Sequence, residues 1–229
     1  MRRRASVAAA LVRPTLRSLP WRLFASGWGV GLVMAAVPVL FSMELSAPVL
    51  VNVVRAVALC GAVGMAFVLD DPARHTTGVS PVPRPLRQAL RVAVVWAVGA
   101  AWWAAVLAVI RVGVEPARWS ALPSGAVTVE AGALFGLALA LAGAVVRFSE
   151  TRLPGPAVAG AVLALPIAAG ALLPPRFALF VPPGDPRWAN SHLLWAGVLI
   201  TMFATWMACG PEPRRRFGGG LGFRRGAVG

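Results

Sequence analysis

The sequence has no lysine and no tyrosine, and little charge of any kind. All 22 of its basic residues are arginine, set against eight acidic ones, for a formal net charge of +14. The missing lysine removes several chemistries at once. A P-loop nucleotidase needs the lysine of G-x-x-x-x-G-K-[ST] to hold the terminal phosphates. Schiff-base catalysis and the phosphate contact of protein kinases need one too. Histidine is scarce, at His75 and His192 only. The topology derived below puts those two on opposite sides of a membrane, which excludes a histidine-rich metal centre. The two cysteines, Cys60 inside an apolar run and Cys209 at the end of another, read as packing residues rather than a disulfide framework. No H-E-x-x-H, paired C-x-x-C or G-x-S-x-G occurs. These absences point away from an enzyme, and no cofactor is expected.

What is present is apolar. Hydrophobic residues make up 58% of the chain and charged residues 13%, whereas a soluble domain is about one-quarter charged. The charges gather between long apolar runs, which is the pattern of a membrane protein. A basic balance of this size can also signal nucleic-acid binding. Here the arginines fall where the positive-inside rule needs them, so no nucleic-acid partner is expected.

Six runs approach the ~20 residues that cross a ~30 Å hydrocarbon core: 23–42, 48–69, 89–110, 126–146, 156–173 and 192–208. Lipid offers no partner to an unpaired backbone group, so each run is expected to be a helix. The expected fold is therefore all-α, a polytopic bundle of about six spans. Of the 22 arginines, 17 lie in 1–22, 70–91, 147–155 and 209–229, and four lie in 43–47, 111–125 and 174–191. That asymmetry predicts a plasma-membrane protein with both termini in the cytoplasm. Residues 1–22 carry six arginines, with Val12, Leu16, Leu19 and Leu23 on one helical face. They predict an amphipathic segment lying on the inner leaflet, interrupted by Pro14 and Pro20. The Gly- and Arg-rich tail 209–229 predicts a disordered segment drawn to anionic lipid. The outer segment 174–191 holds a five-residue apolar island, 177–181, between two Pro-Pro pairs. It reads equally as a re-entrant turn or as an ordinary proline-rich loop.

Two ionisable residues sit inside the runs. Arg55 lies seven residues below the outer edge of the second, or ~10 Å, and Glu130 four residues into the fourth, or ~6 Å. A charge at the membrane centre costs about 2.5–3.5 kcal/mol on insertion scales. Two opposite charges at a shared depth relieve that cost by pairing, and Arg55 and Glu130 are expected to pair. The alternative is that each snorkels to the outer headgroups. Gly27 with Gly31, and Gly132 with Gly136, form two G-x-x-x-G spacings that predict close helix approach.

The loop after the second run reads Leu69, Asp70, Asp71, Pro72, Ala73, Arg74, His75 and Thr76, then Pro81, Val82, Pro83, Arg84, Pro85, Leu86 and Arg87. Pro72 stops the helix, and the prolines from 81 to 85 predict extended chain before the third run. The string L-D-D-P-A-R-x-T, followed by P-x-P and arginines, resembles small six-span actinobacterial membrane proteins described as ABC transporter permeases. That resemblance implies an exporter-type membrane subunit that works with a separate ATP-binding subunit, paired as a homodimer or heterodimer. It further implies that the loop docks on the ATPase through Asp70, Asp71, Arg74 and His75. A non-transporting membrane scaffold, accessory or immunity protein is the alternative expectation.

Overall fold

The computed structural model describes residues 20–70, 84–149 and 153–209. The expected amphipathic segment and the basic tail therefore lie almost wholly outside the described residues, as do Asp71, Arg74 and His75. Among the described residues the chain is all helix and connecting loop, with no strand. The elements are α1 (Trp21–Leu40), α2 (Ala47–Ala66, extended by a 3-10 turn, Phe67–Leu69), α3 (Arg84–Gly113), the short α4 (Pro116–Ala121), α5 (Ser124–Phe148), α6 (Gly155–Leu172) and α7 (Trp188–Cys209). Proline stands in the first turn of α2, α4 and α6, where its missing N–H leaves no bond unmade. The same logic corrects the expectation for Arg84 and Pro85. They begin α3 rather than preceding it as extended chain.

Among the described residues, five helical stretches are long and apolar enough to cross a membrane: Trp21–Leu40, Ala47–Leu69, Ala89–Gly113, Ser124–Phe148 and Gly155–Leu172. α7 is of similar length, at 22 residues. The architecture is that of a multi-pass membrane protein. Large apolar side chains face outward along its helices, among them Val33, Leu40, Ile167, Ile200 and Phe203. In water such surfaces invite aggregation; against lipid tails they are the ordinary exterior.

The core is built on α2 and α5, the two most buried of the five. They pack on each other; α1 and α6 lie against α2, α3 lies chiefly against α1, and α7 lies against α5. Leu50, Val51, Val54, Val57, Ala58, Gly61, Ala62 and Met65 turn inward from α2 at helical spacing. Ala131, Ala133, Ala138, Ala140, Ala142 and Gly143 do so from α5. Small residues let two backbones approach where lipid supplies no hydrophobic drive.

The bundle's middle is filled by aromatics. Trp28 stacks on Trp102 with centroids 5.3 Å apart, and Phe135 lies 6.2 Å from Trp102. Their polar edges are satisfied: Trp28 Nε1 donates to the Gly61 carbonyl at 3.1 Å, and Trp102 Nε1 to the Trp28 carbonyl at 3.2 Å. The two glycine pairs behave differently around this layer. A methyl group at Gly27 would meet the Cys60 carbonyl oxygen and the Gly64 nitrogen at 2.9 Å, and one at Gly31 would meet the Trp102 ring at 2.8 Å. At Gly132 and Gly136 the nearest atoms are ordinary contacts, Leu199 at 3.9 Å and 3.5 Å. Only the first pair sits where no larger residue fits.

Candidate functional site

At the end of the bundle that the arginine asymmetry would place outside, called the outer end on that expectation, α2, α5 and α7 meet at a buried charged centre. Arg55 stands about two turns below the start of α2, and Glu130 at a similar level of α5. Arg55 Nε donates to Glu130 Oε2 at 2.7 Å, and Nη2 donates to Oε1 at 2.7 Å. The side chains are 7% and 1% exposed. This is the two-pronged arrangement in which a planar guanidinium matches a carboxylate. Neither group snorkels to the surface.

A strap of outer loop closes over the pair. After a 3-10 turn at Pro175–Phe177 the chain runs irregularly across the bundle to Trp188. The apolar island does not form a re-entrant helix. Instead Val181 is buried, and its carbonyl oxygen accepts from Arg55 Nη2 at 2.9 Å. The rings of Phe180 and Trp188 flank the guanidinium, with Arg55 Cζ 5.7 Å and 5.6 Å from their centroids. Cation–π contact thus covers the faces that the carboxylate leaves open. The Leu179 carbonyl accepts from Ser191 Oγ at 2.7 Å and from Trp195 Nε1 at 2.8 Å, which pins the strap to α7. Gly184, at a φ of 87°, makes the turn that returns the chain to α7.

A third ionisable group joins from α7. His192 Nε2 lies 3.0 Å from Glu130 Oε1, and His192 Nδ1 lies 2.8 Å from the Trp188 carbonyl oxygen. The Nε2 contact is at ion-pair distance yet lies outside hydrogen-bond geometry. Sequence reasoning treated His192 only as a histidine too isolated for metal binding. The available signal was its place at the outer start of the last run, level with Glu130 across the bundle.

The opposite end of the bundle, the inner end on the same expectation, carries Asp70. The carboxylate expected to face a cytoplasmic partner is instead turned inward, with the residue 6% exposed. Its Oδ1 accepts from the backbone N–H of Gly155 at 2.8 Å, at the first residue of α6. A helix start has N–H groups without intrahelical partners and a positive dipole end, and a carboxylate answers both. Burial raises the Asp70 carboxyl above its ordinary value, and the Gly155 N–H opposes that rise. Gly155 is required for this closeness, because a methyl group there would meet the Phe67 ring and Asp70 Oδ2. The structure thus brings Arg55 and Glu130 together, adds His192, and commits Asp70 to α6. Among the described residues no three potential metal ligands converge.

Fold and site together define a helical bundle of the multi-pass membrane class, with a buried ion pair under an outer strap. Comparison with known protein families, with curated proteins and with solved structures returns no match for this chain.

Proposed function

We propose that this chain is the membrane-spanning subunit of an ABC-type permease, with six spans, both termini in the cytoplasm, and a separate subunit that hydrolyses ATP. α7 serves as the sixth span, and the arginine asymmetry sets the orientation. The observation that carries the reading is the Asp70–Gly155 bond. It fastens the end of α2, where the loop 70–83 begins, to the start of α6. A partner that moves that loop therefore acts on α2 and α6 at once. Asp71, Arg74 and His75 make the ATPase contact, while Asp70 relays it inward. At the opposite end, the strap over Arg55 and Glu130 is the outer gate in its closed position. The sparse polar groups along the spans suit an apolar or amphiphilic cargo.

Co-expression with an ATP-binding subunit encoded beside this chain, followed by co-purification from detergent, tests the reading. Wild type should retain the ATPase, and Asp71→Arg with Arg74→Glu should lose it. No association by wild type, or indifference to the double substitution, overturns it.

One observation favours a non-transporting scaffold as the second reading, the small volume of the groove between α3, α5 and α7. The groove between Trp96, Gly136, Leu199 and Trp206 encloses about 20 Å³, room for roughly one water. Binding of a membrane or envelope protein with no associated ATPase activity would favour the scaffold.

A further inference from the structure

The contact between His192 and Glu130 is not needed to neutralise Arg55, and it imposes a condition on protons. His192 Nδ1 sits 2.8 Å from the Trp188 carbonyl oxygen, which can only accept, so Nδ1 carries a hydrogen. A neutral ring then has its lone pair on Nε2. That nitrogen is buried, has no hydrogen-bond partner, and lies 3.0 Å from a carboxylate oxygen. Two electron-rich atoms would face each other out of water. A second proton, on Nε2, turns this repulsion into attraction. Placing the proton on Glu130 Oε1 instead would remove the negative charge that Arg55 is paired with through two 2.7 Å bonds.

We propose that His192 is a proton-operated latch on the outer strap: as the imidazolium it bridges the Trp188 carbonyl and Glu130, and loss of its Nε2 proton releases residues 179–188 from Arg55. The charged groups around it are few. α7 packs chiefly on α5, whose ionisable residues are Glu130 and, at its far end, Arg147. Across Glu130 stands Arg55 from α2. In the outer loop, Asp185 and Arg187 pair with each other at 2.8 Å, and Arg176 lies over Phe177. Arg55 and Glu130 answer each other's charge, so the proton on which the strap contact depends is the one on His192 Nε2. The closed strap holds one proton more than the released one. Acid therefore keeps it shut and alkali opens it. Trp188 conveys the change, since its carbonyl is held by His192 and its ring covers Arg55. The inference concerns the strap alone and stands whether or not the chain works with an ATPase.

The test is thiol labelling of the full chain in nanodiscs, with Cys60→Ala and Cys209→Ala. Val181→Cys, at a position 1% exposed in the strap, is compared with Ala189→Cys at an exposed one. Their ratio of labelling rates removes the pH dependence common to both thiols, and comparison with the His192 variants removes the part due to burial of the thiol at 181. Between about pH 5 and about pH 9 the ratio should rise between about threefold and about tenfold. His192→Ala should abolish the rise. His192→Lys, a cation throughout, should keep the ratio low at every pH, and it serves on its own if the alanine variant does not fold. A flat ratio in the parent, or the same rise in either His192 variant, overturns the latch.

Discussion

Both ends of the bundle are fastened by a buried carboxylate, but the two carboxylates are answered differently. At the outer end Glu130 meets a full positive charge in two bonds of 2.7 Å and sits beside His192. At the inner end Asp70 meets one backbone N–H at 2.8 Å and the partial charge of a helix start. The outer pair, with His192, joins three helices and a strap that the chain supplies from a distant position. The inner bond joins only the end of α2 to the start of α6. The outer lock is therefore costly to break by halves, while the inner one is weaker.

The largest expected effect follows from that asymmetry. Glu130→Ala leaves Arg55 buried with no counter-charge, and removing one partner of such a pair costs about 3–5 kcal/mol. Thermal unfolding in detergent should show this variant as the least stable of those discussed here. Arg55→Leu with Glu130→Leu removes both charges and should recover most of the loss, since apolar replacement of a whole buried pair is often neutral. If the double variant is as unstable as Glu130→Ala, the cost lies in the strap and not in the unpaired charge.

Much of the outer lock was legible in the sequence, and less of the inner one. Arg55 and Glu130 could be paired because charges are rare inside apolar runs and depth follows from residue counting at ~1.5 Å per residue. Rotation about the helix axis does not follow from counting, which is why Gly132 and Gly136, spaced like Gly27 and Gly31, turned out to face no tight contact. The strap was hidden for a related reason. Its hold on Arg55 runs through the Val181 carbonyl, and a backbone oxygen has no signature in the side-chain sequence. Asp70 misled because an acidic residue at a cytoplasmic loop normally faces water. Here the last turn of α2 tightens at Phe67–Leu69 and swings the carboxylate under α6. The helices themselves were readable, with α3 and α7 reaching past their apolar runs because polar residues continue a helix freely once outside the hydrocarbon.

A smaller effect is expected at the inner end. Asp70→Ala frees the Gly155 N–H and should cost about 1–3 kcal/mol, the range for leaving one buried polar group unsatisfied. Gly155→Ala attacks the same bond from the other side, since the added methyl meets the Phe67 ring and Asp70 Oδ2; overpacking of this kind costs about 1–3 kcal/mol. The two substitutions break one contact, so combining them should cost less than the sum. Full additivity would mean that Asp70 and Gly155 act separately, and the inner lock would lose its meaning.

The smallest effect is one of pH, and it separates Asp70 from an exposed carboxylate of the outer loop. Asp70 has its carboxyl raised by burial from an ordinary value of 3.8. The folded protein therefore binds that proton more tightly than the unfolded chain does. In the window just above 3.8, stability falls as pH rises and recovers on acidification. Asp185 is the reverse: its hydrogen bonds from Arg187 lower it from 3.8 to about 2. Its contribution is present above 3.8 and is lost as pH falls toward 2. Because Asp185 and Arg187 lie at the surface, solvent and salt screen that term. Difference unfolding curves between wild type and Asp70→Asn, taken from about pH 3.5 to about pH 7, should show the variant losing the acid-side gain of the wild type. Asp185→Asn should keep that gain. An unchanged profile in Asp70→Asn would mean that the Gly155 N–H fully offsets the burial of the carboxylate, so that the folded and unfolded chains bind this proton equally.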